Sequence, residues 1–147
     1  MEYTKQITSE YDQRAENFLR DSGTTMTIVF DSVVHGFPFE DEDSYHLDHK
    51  KYNVTLTRGE HVYRFPFYDS YYNFKNGIKP SPYDVLACLQ KSDVGEMKDF
   101  VEDYGYEIKD RKSFERVENI WKACKDEYQN LYQMFGEEWM EKLWEID

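Results

Sequence analysis

Apolar and polar residues alternate through much of the first half of the chain, and this pattern predicts strands that bury one face. One strand is predicted over residues 24–34. Its inward positions are Met26, Ile28, Phe30 and Val34. A helix is predicted before it, over residues 10–21, because Ser9 suits an N-cap and Gly23 suits a helix end. The face of this helix expected to pack on the sheet holds Tyr11, Ala15, Phe18 and Leu19.

A hairpin is predicted over residues 52–67, where two alternating segments flank Arg58 and Gly59. The two-residue turn is assigned to Arg58 and Gly59, so that Thr57 opposes Glu60. Counting outward from this turn pairs Val54 with Tyr63 and Tyr52 with Phe65. Pro66 cannot donate a ladder hydrogen bond, so the second hairpin strand is expected to be an edge or to end there.

The second half of the chain repeats its apolar residues at spacings of three and four, which predicts helices. One helix begins at Ser81 and Pro82, which suit the N-cap and the first helical position. Its inward residues are expected to be Tyr83, Leu86 and Leu89. A short helix is predicted next, over residues 96–104, and Gly105 is placed to end it. Its apolar stripe consists of Met97, Phe100, Val101 and Tyr104.

The strongest helical signal begins after Asp110 and ends at Gly136. Its apolar seam consists of Phe114, Val117, Trp121, Cys124, Tyr128, Leu131 and Phe135. Such a seam fits a core helix or a dimer seam, and three heptads are marginal for a coiled coil, so a core helix with Trp121 buried is preferred. A last amphipathic helix is predicted over residues 137–146. Its apolar residues are Trp139, Met140, Leu143 and Trp144.

Together these patterns predict an α+β fold, because the two periodicities are segregated along the chain. The fold consists of an N-terminal helix, an antiparallel sheet of about three strands with a hairpin, and a helical C-terminal half packed on the sheet. The length of 147 residues fits a single domain over residues 1–147. Within it, residues 1–80 hold the first helix and the sheet, and residues 81–147 form an acidic helical half.

The chain carries 18 basic and 30 acidic side chains, for a formal net charge of −12. This charge disfavours direct binding of nucleic acid or membranes and favours a basic protein surface as partner, although it also fits a role in solubility alone. No segment reaches the ~18 consecutive apolar residues of a membrane helix, and the N-terminus lacks a signal peptide's apolar region. A cytoplasmic protein is expected, and its oligomeric state stays open.

Acidic residues are densest between positions 93 and 107, where Lys98 is the only base. The candidate partner-binding residues there are Asp93, Glu96, Asp99, Glu102, Asp103 and Glu107. Glu96, Asp99 and Asp103 lie three and four apart, so they line one helix face at intervals of about 5–6 Å, similar to successive phosphates of a nucleic acid strand. An ordinary solvated helix face explains the same spacing equally well.

Further partner-binding candidates lie in three other segments. They are Glu40, Asp41, Glu42 and Asp43 in a predicted loop, Tyr68, Tyr71 and Tyr72 in a predicted aromatic loop that also holds Phe74, and Glu137, Glu138 and Glu141 on the last helix. Aromatic side chains on a loop either cover a sheet edge or form a contact surface.

No catalytic or cofactor-binding pattern is recognisable, so the chain is expected not to be an enzyme and to need no cofactor. The consecutive acids of residues 40–43 lack the ligand spacing and glycine of an EF-hand loop. His46, Asp48 and His49 do not favour a metal site, because they do not share a helix face. The histidines lack an identifiable partner for proton transfer, and core packing is expected for Cys88 and Cys124. The four histidines are His35, His46, His49 and His61.

The second half resembles small acidic proteins of phages and integrated mobile elements. The resemblance lies in residues 80–89, in the block Phe100–Tyr106, in Asp110-Arg111-Lys112 and in the closing segment 137–146. Proteins of that kind are often anti-defence factors, including anti-CRISPR and anti-restriction proteins that occupy the DNA-binding groove of a nuclease. The resemblance thus implies a DNA-mimicking nuclease inhibitor. An adaptor or allosteric inhibitor with an exposed aromatic surface is the alternative.

Overall fold

The computed structural model describes residues 2–35 and 48–146, with residues 2–9 as backbone only. In chain order, one helix precedes a three-stranded antiparallel sheet and the remaining helices follow it, which confirms the predicted α+β class. The elements are α1 Glu2–Asp21, β1 Thr25–His35, β2 Asp48–Arg58, β3 His61–Tyr68, α2 Tyr71–Asn76, α3 Pro82–Gln90, α4 Met97–Tyr104, α5 Arg111–Phe135 and α6 Glu137–Trp144.

Helix α1 begins at Glu2, so the predicted start at Ser9 was wrong. No Gly or Pro interrupts residues 2–9, and a helix propagates easily through such a segment. Ala15, Phe18 and Leu19 are buried as predicted, whereas Tyr11 is half exposed and lies against Tyr83 with ring centroids 5.1 Å apart.

The sheet has the antiparallel order β1-β2-β3, and the hairpin turn lies at Gly59 and Glu60. The predicted turn was one residue too early. In the favoured two-residue hairpin turns the first central residue has a positive φ, which Gly59 adopts at +59° and which Arg58 would adopt only with strain. The hairpin pairs are therefore Arg58 with His61, Val54 with Phe65 and Tyr52 with Phe67. Each partner shifts by two residues, so the predicted faces are kept.

Strand β1 is less buried than its pattern predicted. Met26 and Ile28 pack partly on the core, but Phe30 is 52 % exposed. The pairing with β2 skips Asp31, since Phe30 opposes Tyr52 and Ser32 opposes Lys51. This bulge interrupts the regular register between β1 and β2 directly after Phe30.

The main hydrophobic core lies between one face of the sheet and helices α1, α3, α6 and the C-terminal half of α5. Trp139 is its largest fully buried side chain, and its indole N–H donates to the Thr24 hydroxyl at 3.0 Å. Two more side-chain hydrogen bonds join distant segments: Arg58 donates to the Phe135 carbonyl and Gln90 to the Leu143 carbonyl, both at 2.7 Å. Trp144, in contrast, is 45 % exposed.

A smaller hydrophobic cluster joins α4 to the N-terminal half of α5. Its buried residues are Val94, Phe100, Val117 and Ile120. Ile120 takes the place that the seam assigned to Trp121, which is only partly buried and donates its indole N–H to the Gly95 carbonyl at 3.0 Å. Phe114 is also largely exposed. The buried stripe of α5 shifts because its first half packs on α4 and its second half on the main core.

Two local predictions also need correction. The segment predicted as an aromatic loop contains α2, which begins after Ser70, whose hydroxyl accepts from the Asn73 N–H at 3.1 Å. A serine cap is a sufficient local signal for this helix. Cys88 is exposed at its residue surface, while Cys124 is partly buried against the smaller cluster. Core packing was therefore wrong for Cys88, which belongs to neither hydrophobic cluster, although its thiol lies near Glu127 and Cys124 of α5.

Candidate functional site

Helix α4 is held by one buried ring. Phe100 is 4 % exposed and lies against Tyr104 and Tyr106, with ring centroids 5.1 and 5.3 Å apart. The helix ends at Gly105, whose φ of +66° is the left-handed conformation that only glycine adopts without strain. Because α4 has eight residues and chiefly contacts α5, one apolar stripe is enough to orient it. The opposite face is left to solvent.

That solvent face carries the predicted acidic residues. We call Asp93, Glu96, Asp99, Glu102 and Asp103 the acidic α4 surface. All five residues are exposed, and within residues 2–35 and 48–146 none of them forms an ion pair. Glu107 is also exposed, but its carboxylate lies 3.8 Å from the Lys109 ammonium. Glu107 therefore contributes less negative potential than its neighbours.

The acidic α4 surface has the length of a short stretch of nucleic acid backbone. Eight helical residues rise about 12 Å, which corresponds to about three phosphates of one strand. The surface ends at the start of α5, where Lys109, Arg111 and Lys112 follow in sequence. Arg111 pairs with Glu115 at 3.1 Å, so part of this positive charge is neutralised within α5.

Asp110, between the two charge groups, has a structural role. Its carboxylate accepts from the Ser113 backbone N–H at 2.8 Å, and the Ser113 hydroxyl accepts from the Asp110 N–H in return. The hydrogen bonds that the Asp110 carboxylate accepts from the Ser113 backbone and side chain lower the pKa of this carboxyl. The reciprocal bonds between Asp110 and Ser113 fix the first turn of α5. An open groove beside this turn is lined by Asp110, Arg111, Phe114, Glu115 and Glu118. Its mixed charges do not extend the acidic α4 surface.

One secondary acidic candidate and one member of the primary set lie near the same tyrosine ring. Burial raises the pKa of the Tyr128 phenol, and the negative charges of Asp93 and Glu137 raise it further. Asp93 precedes α4 and Glu137 begins α6, so two segments 44 positions apart in sequence (137 minus 93) act on the same ring. Glu138 and Glu141 are exposed on α6 as well, and Glu138 pairs with Lys142 at 3.7 Å. Glu40, Asp41, Glu42 and Asp43 lie outside the described residues.

The aromatic candidates do not form a continuous exposed surface. Tyr68 and Tyr71 are partly buried, and Tyr71 stacks on Phe74 with ring centroids 6.3 Å apart. Only Tyr72 of the three tyrosines is exposed, at 67 % of its surface. The aromatic alternative therefore depends on Tyr72 and on the distant Trp144.

A titratable group that the sequence did not point to lies between α5 and β3. Glu127 is partly buried, and the Tyr63 hydroxyl donates a hydrogen bond to its carboxylate. Burial outweighs this hydrogen bond and raises the pKa of Glu127 to about 7. Surrounding protein and the Glu127 charge raise the pKa of the nearby Cys88 thiol to about 11, so it stays protonated at neutral pH.

A second buried polar group fastens α2 to β2. His49 is fully buried, and its Nδ1 donates to the Asp69 carbonyl at 2.9 Å. Asp69 in turn accepts from the Ser70 N–H and the Asn73 amide, both at 2.9 Å, while burial raises the pKa of its carboxyl. This arrangement positions a helix cap. Of the metal-site candidates, Asp48 lies 2.8 Å from His35 and His46 is outside the described residues. Elsewhere in residues 2–35 and 48–146, no three potential ligands converge.

Comparison with known proteins found no similarity: no family model, curated protein or solved structure matches the chain. Across the described residues, none of the helices combines the length and the apolar character needed to cross a membrane. The candidate site therefore rests on the geometry and charge of the acidic α4 surface.

Proposed function

We propose that this protein binds a basic groove on a nucleic-acid-binding nuclease through the acidic α4 surface and thereby competes with nucleic acid. The observation that carries the proposal is a two-turn helix anchored by the buried Phe100 ring. Its solvent face holds exposed carboxylates that form no ion pair with any described side chain. The class of partner, a host defence nuclease, follows the resemblance of the second half to small acidic mobile-element proteins.

The charge distribution supports a protein partner. A net charge of −12 repels phosphate backbones and anionic lipid surfaces alike, whereas a DNA-binding groove is lined with Lys and Arg. Exposed carboxylates can approach such a groove without losing internal ion pairs. Binding of this kind depends on long-range attraction, so it should accelerate encounter and weaken strongly as salt is added.

Charge reversal on α4 tests the proposal. The variant Glu96→Lys, Asp99→Lys, Glu102→Lys, Asp103→Lys changes only exposed side chains, so circular dichroism should match the wild type. The assay measures, by anisotropy, the displacement of labelled DNA from purified RNA-guided and restriction nucleases. The wild type should displace the DNA, and the variant should require a concentration at least tenfold higher.

The matched control reverses four exposed acids away from α4: Glu10, Glu16, Asp21 and Glu60. Both variants have the same net charge, so a loss common to both would assign binding to bulk charge and contradict a local site. A folded α4 variant that still displaces DNA would also contradict the proposal.

An adaptor function is the second candidate, and the exposure of Tyr72 favours it. Binding by an aromatic anchor should change little between low and high salt, whereas binding by the acidic α4 surface should weaken. Tyr72→Ala and the α4 variant are compared in the same assay, and the variant that loses binding identifies the contact surface.

A further inference from the structure

Strand β1 is an outer strand whose free edge is long and little protected. It spans 11 residues and, within the described residues, pairs only with β2. Between Thr25 and Val34, alternate backbone N–H and C=O groups therefore point away from the sheet, and no strand among the described residues pairs with them. Its exposed apolar residues are Val29, Phe30 and Val33, with 59, 52 and 53 % of their surfaces accessible.

The two edges of this sheet differ in their protection. Outer strands usually carry Lys, Pro or a covering element that blocks pairing with another chain. Strand β3 has eight residues, includes Arg64 and Pro66, and is contacted by α5. Strand β1 contains no Lys, Arg or Pro. The bulge at Asp31 is the only feature of this strand that disfavours pairing with another chain.

The local charge of β1 favours a second copy of this chain as the occupant. Two molecules with a net charge of −12 repel each other over most of their surfaces. Asp31 is the only Asp, Glu, Lys or Arg in β1, and its carboxylate lies 3.6 Å from the Lys51 ammonium. Within residues 2–35 and 48–146, the β1 strand itself thus brings no unpaired carboxylate to the edge at which two copies would approach.

The topology separates this edge from the acidic α4 surface. Helix α4 contacts α5, α5 contacts β3, and β1 lies two strands away from β3, or about 10 Å across the sheet. A dimer joined at β1 therefore forms through a strand that neither adjoins α4 in sequence nor is its main packing partner.

We propose that two copies of this protein associate through antiparallel pairing of their β1 edges, which joins two three-stranded sheets into one six-stranded sheet. In antiparallel pairing, directly opposed residues lie on the same face of the sheet. A two-fold axis perpendicular to the sheet therefore places the helices of both copies on the same side. A strand edge buries less than the ~1,600 Å² of a standard interface, and a dissociation constant on the order of micromolar is expected. This inference does not depend on the proposed function.

Sedimentation equilibrium and light scattering of the full chain test the dimer. From about 1 to 200 μM, the wild-type mass should rise from 17.8 kDa toward twice that value. Val29→Lys with Val33→Lys places like charges across the edge and should weaken the dimer at least tenfold. The control Asn53→Lys with Val62→Lys adds the same charge at exposed positions of β2 and β3 and should leave it intact.

Hydrogen exchange locates the interface. Amides of residues 25–35 should exchange several-fold more slowly at 200 μM than at 1 μM, while those of β3 should not change with concentration. A wild type that stays monomeric throughout would overturn the proposal. So would a dimer whose β1 amides exchange equally fast at both concentrations, or one weakened equally by both double-lysine variants, because either places the interface elsewhere.

Discussion

At the scale of single residues, Glu127 is a carboxyl group whose surroundings move its titration into the neutral range. Its pKa is raised from 4.5 to about 7, so the folded state retains a proton that the unfolded chain has lost between these pH values. The contribution of Glu127 to stability is thus fully present below about pH 4.5 and is lost as pH rises through 7. The loss is at most about 3.5 kcal/mol, since the pKa values differ by about 2.5 units and each unit is worth about 1.4 kcal/mol.

The variant Glu127→Gln should remove this loss. Its amide keeps an oxygen that can accept from Tyr63 and carries no charge at any pH. We expect thermal unfolding of variant and wild type to differ little at pH 5 and the variant to be more stable at pH 8 by about 1–3 kcal/mol. Asp126→Asn, the same kind of change at the exposed neighbouring position of α5, is the control. A stability difference that is the same at both pH values would show that Glu127 does not titrate between them.

The two tryptophans Trp139 and Trp121 should differ in their importance for stability. Trp139 is 1 % exposed between Phe18 and Phe135, with ring centroids 5.1 and 4.6 Å away. Its replacement by Ala should cost about 3–5 kcal/mol in urea melts, through the cavity and the lost hydrogen bond to Thr24. Trp121→Ala should cost about 1–2 kcal/mol, because its ring is partly solvated. Equal losses would place Trp121 in the core after all.

At the scale of elements, α4 depends on few buried contacts and should open more easily than the main core. Phe100→Ala removes its central anchor and leaves the main cluster untouched. We expect amides of residues 97–104 to exchange at least tenfold faster, with the exchange of β2 amides little changed. Phe100→Leu should restore much of the protection, since it keeps a large apolar side chain. If β2 amides accelerate as much as those of α4, the two clusters unfold as one unit.

Helix α5 connects the two clusters. Its 25 residues span about 37 Å, with Val117 and Ile120 in the smaller cluster and Leu131 and Phe135 in the main core. The acidic α4 surface therefore packs chiefly on the N-terminal half of this long helix.

At the scale of the whole molecule, the net charge of −12 should oppose folding, because compaction brings like charges together. Raising NaCl from about 20 to 500 mM shortens the Debye length from about 20 Å to about 4 Å and should raise the unfolding temperature by about 2–4 °C. The quadruple Lys variant of α4 should show a smaller rise. An unfolding temperature that is independent of salt would mean that the ion pairs already balance the repulsion.

The local sequence was enough to predict the type of nearly every element and the exposure of the acidic α4 surface. Ser81 with Asp84 forms a capping box, and Gly105 ends α4 in a left-handed conformation, as their types require. These features depend on residues within one or two turns of each other. The alternation of 52–67 likewise determined which residues face the core.

Where several residues fit the same sequence pattern, only the tertiary structure decided which of them is buried or brought into contact. Trp121 and Ile120 both fit the seam of α5, and the packing partner α4 selects Ile120. Tyr63 and Glu127 are far apart in sequence, and their hydrogen bond exists because α5 lies against β3. Asp93 and Glu137 come near the Tyr128 ring because α5 contacts both α4 and α6. Periodicity defines a face of a helix or strand, but which neighbour covers that face depends on contacts between distant segments.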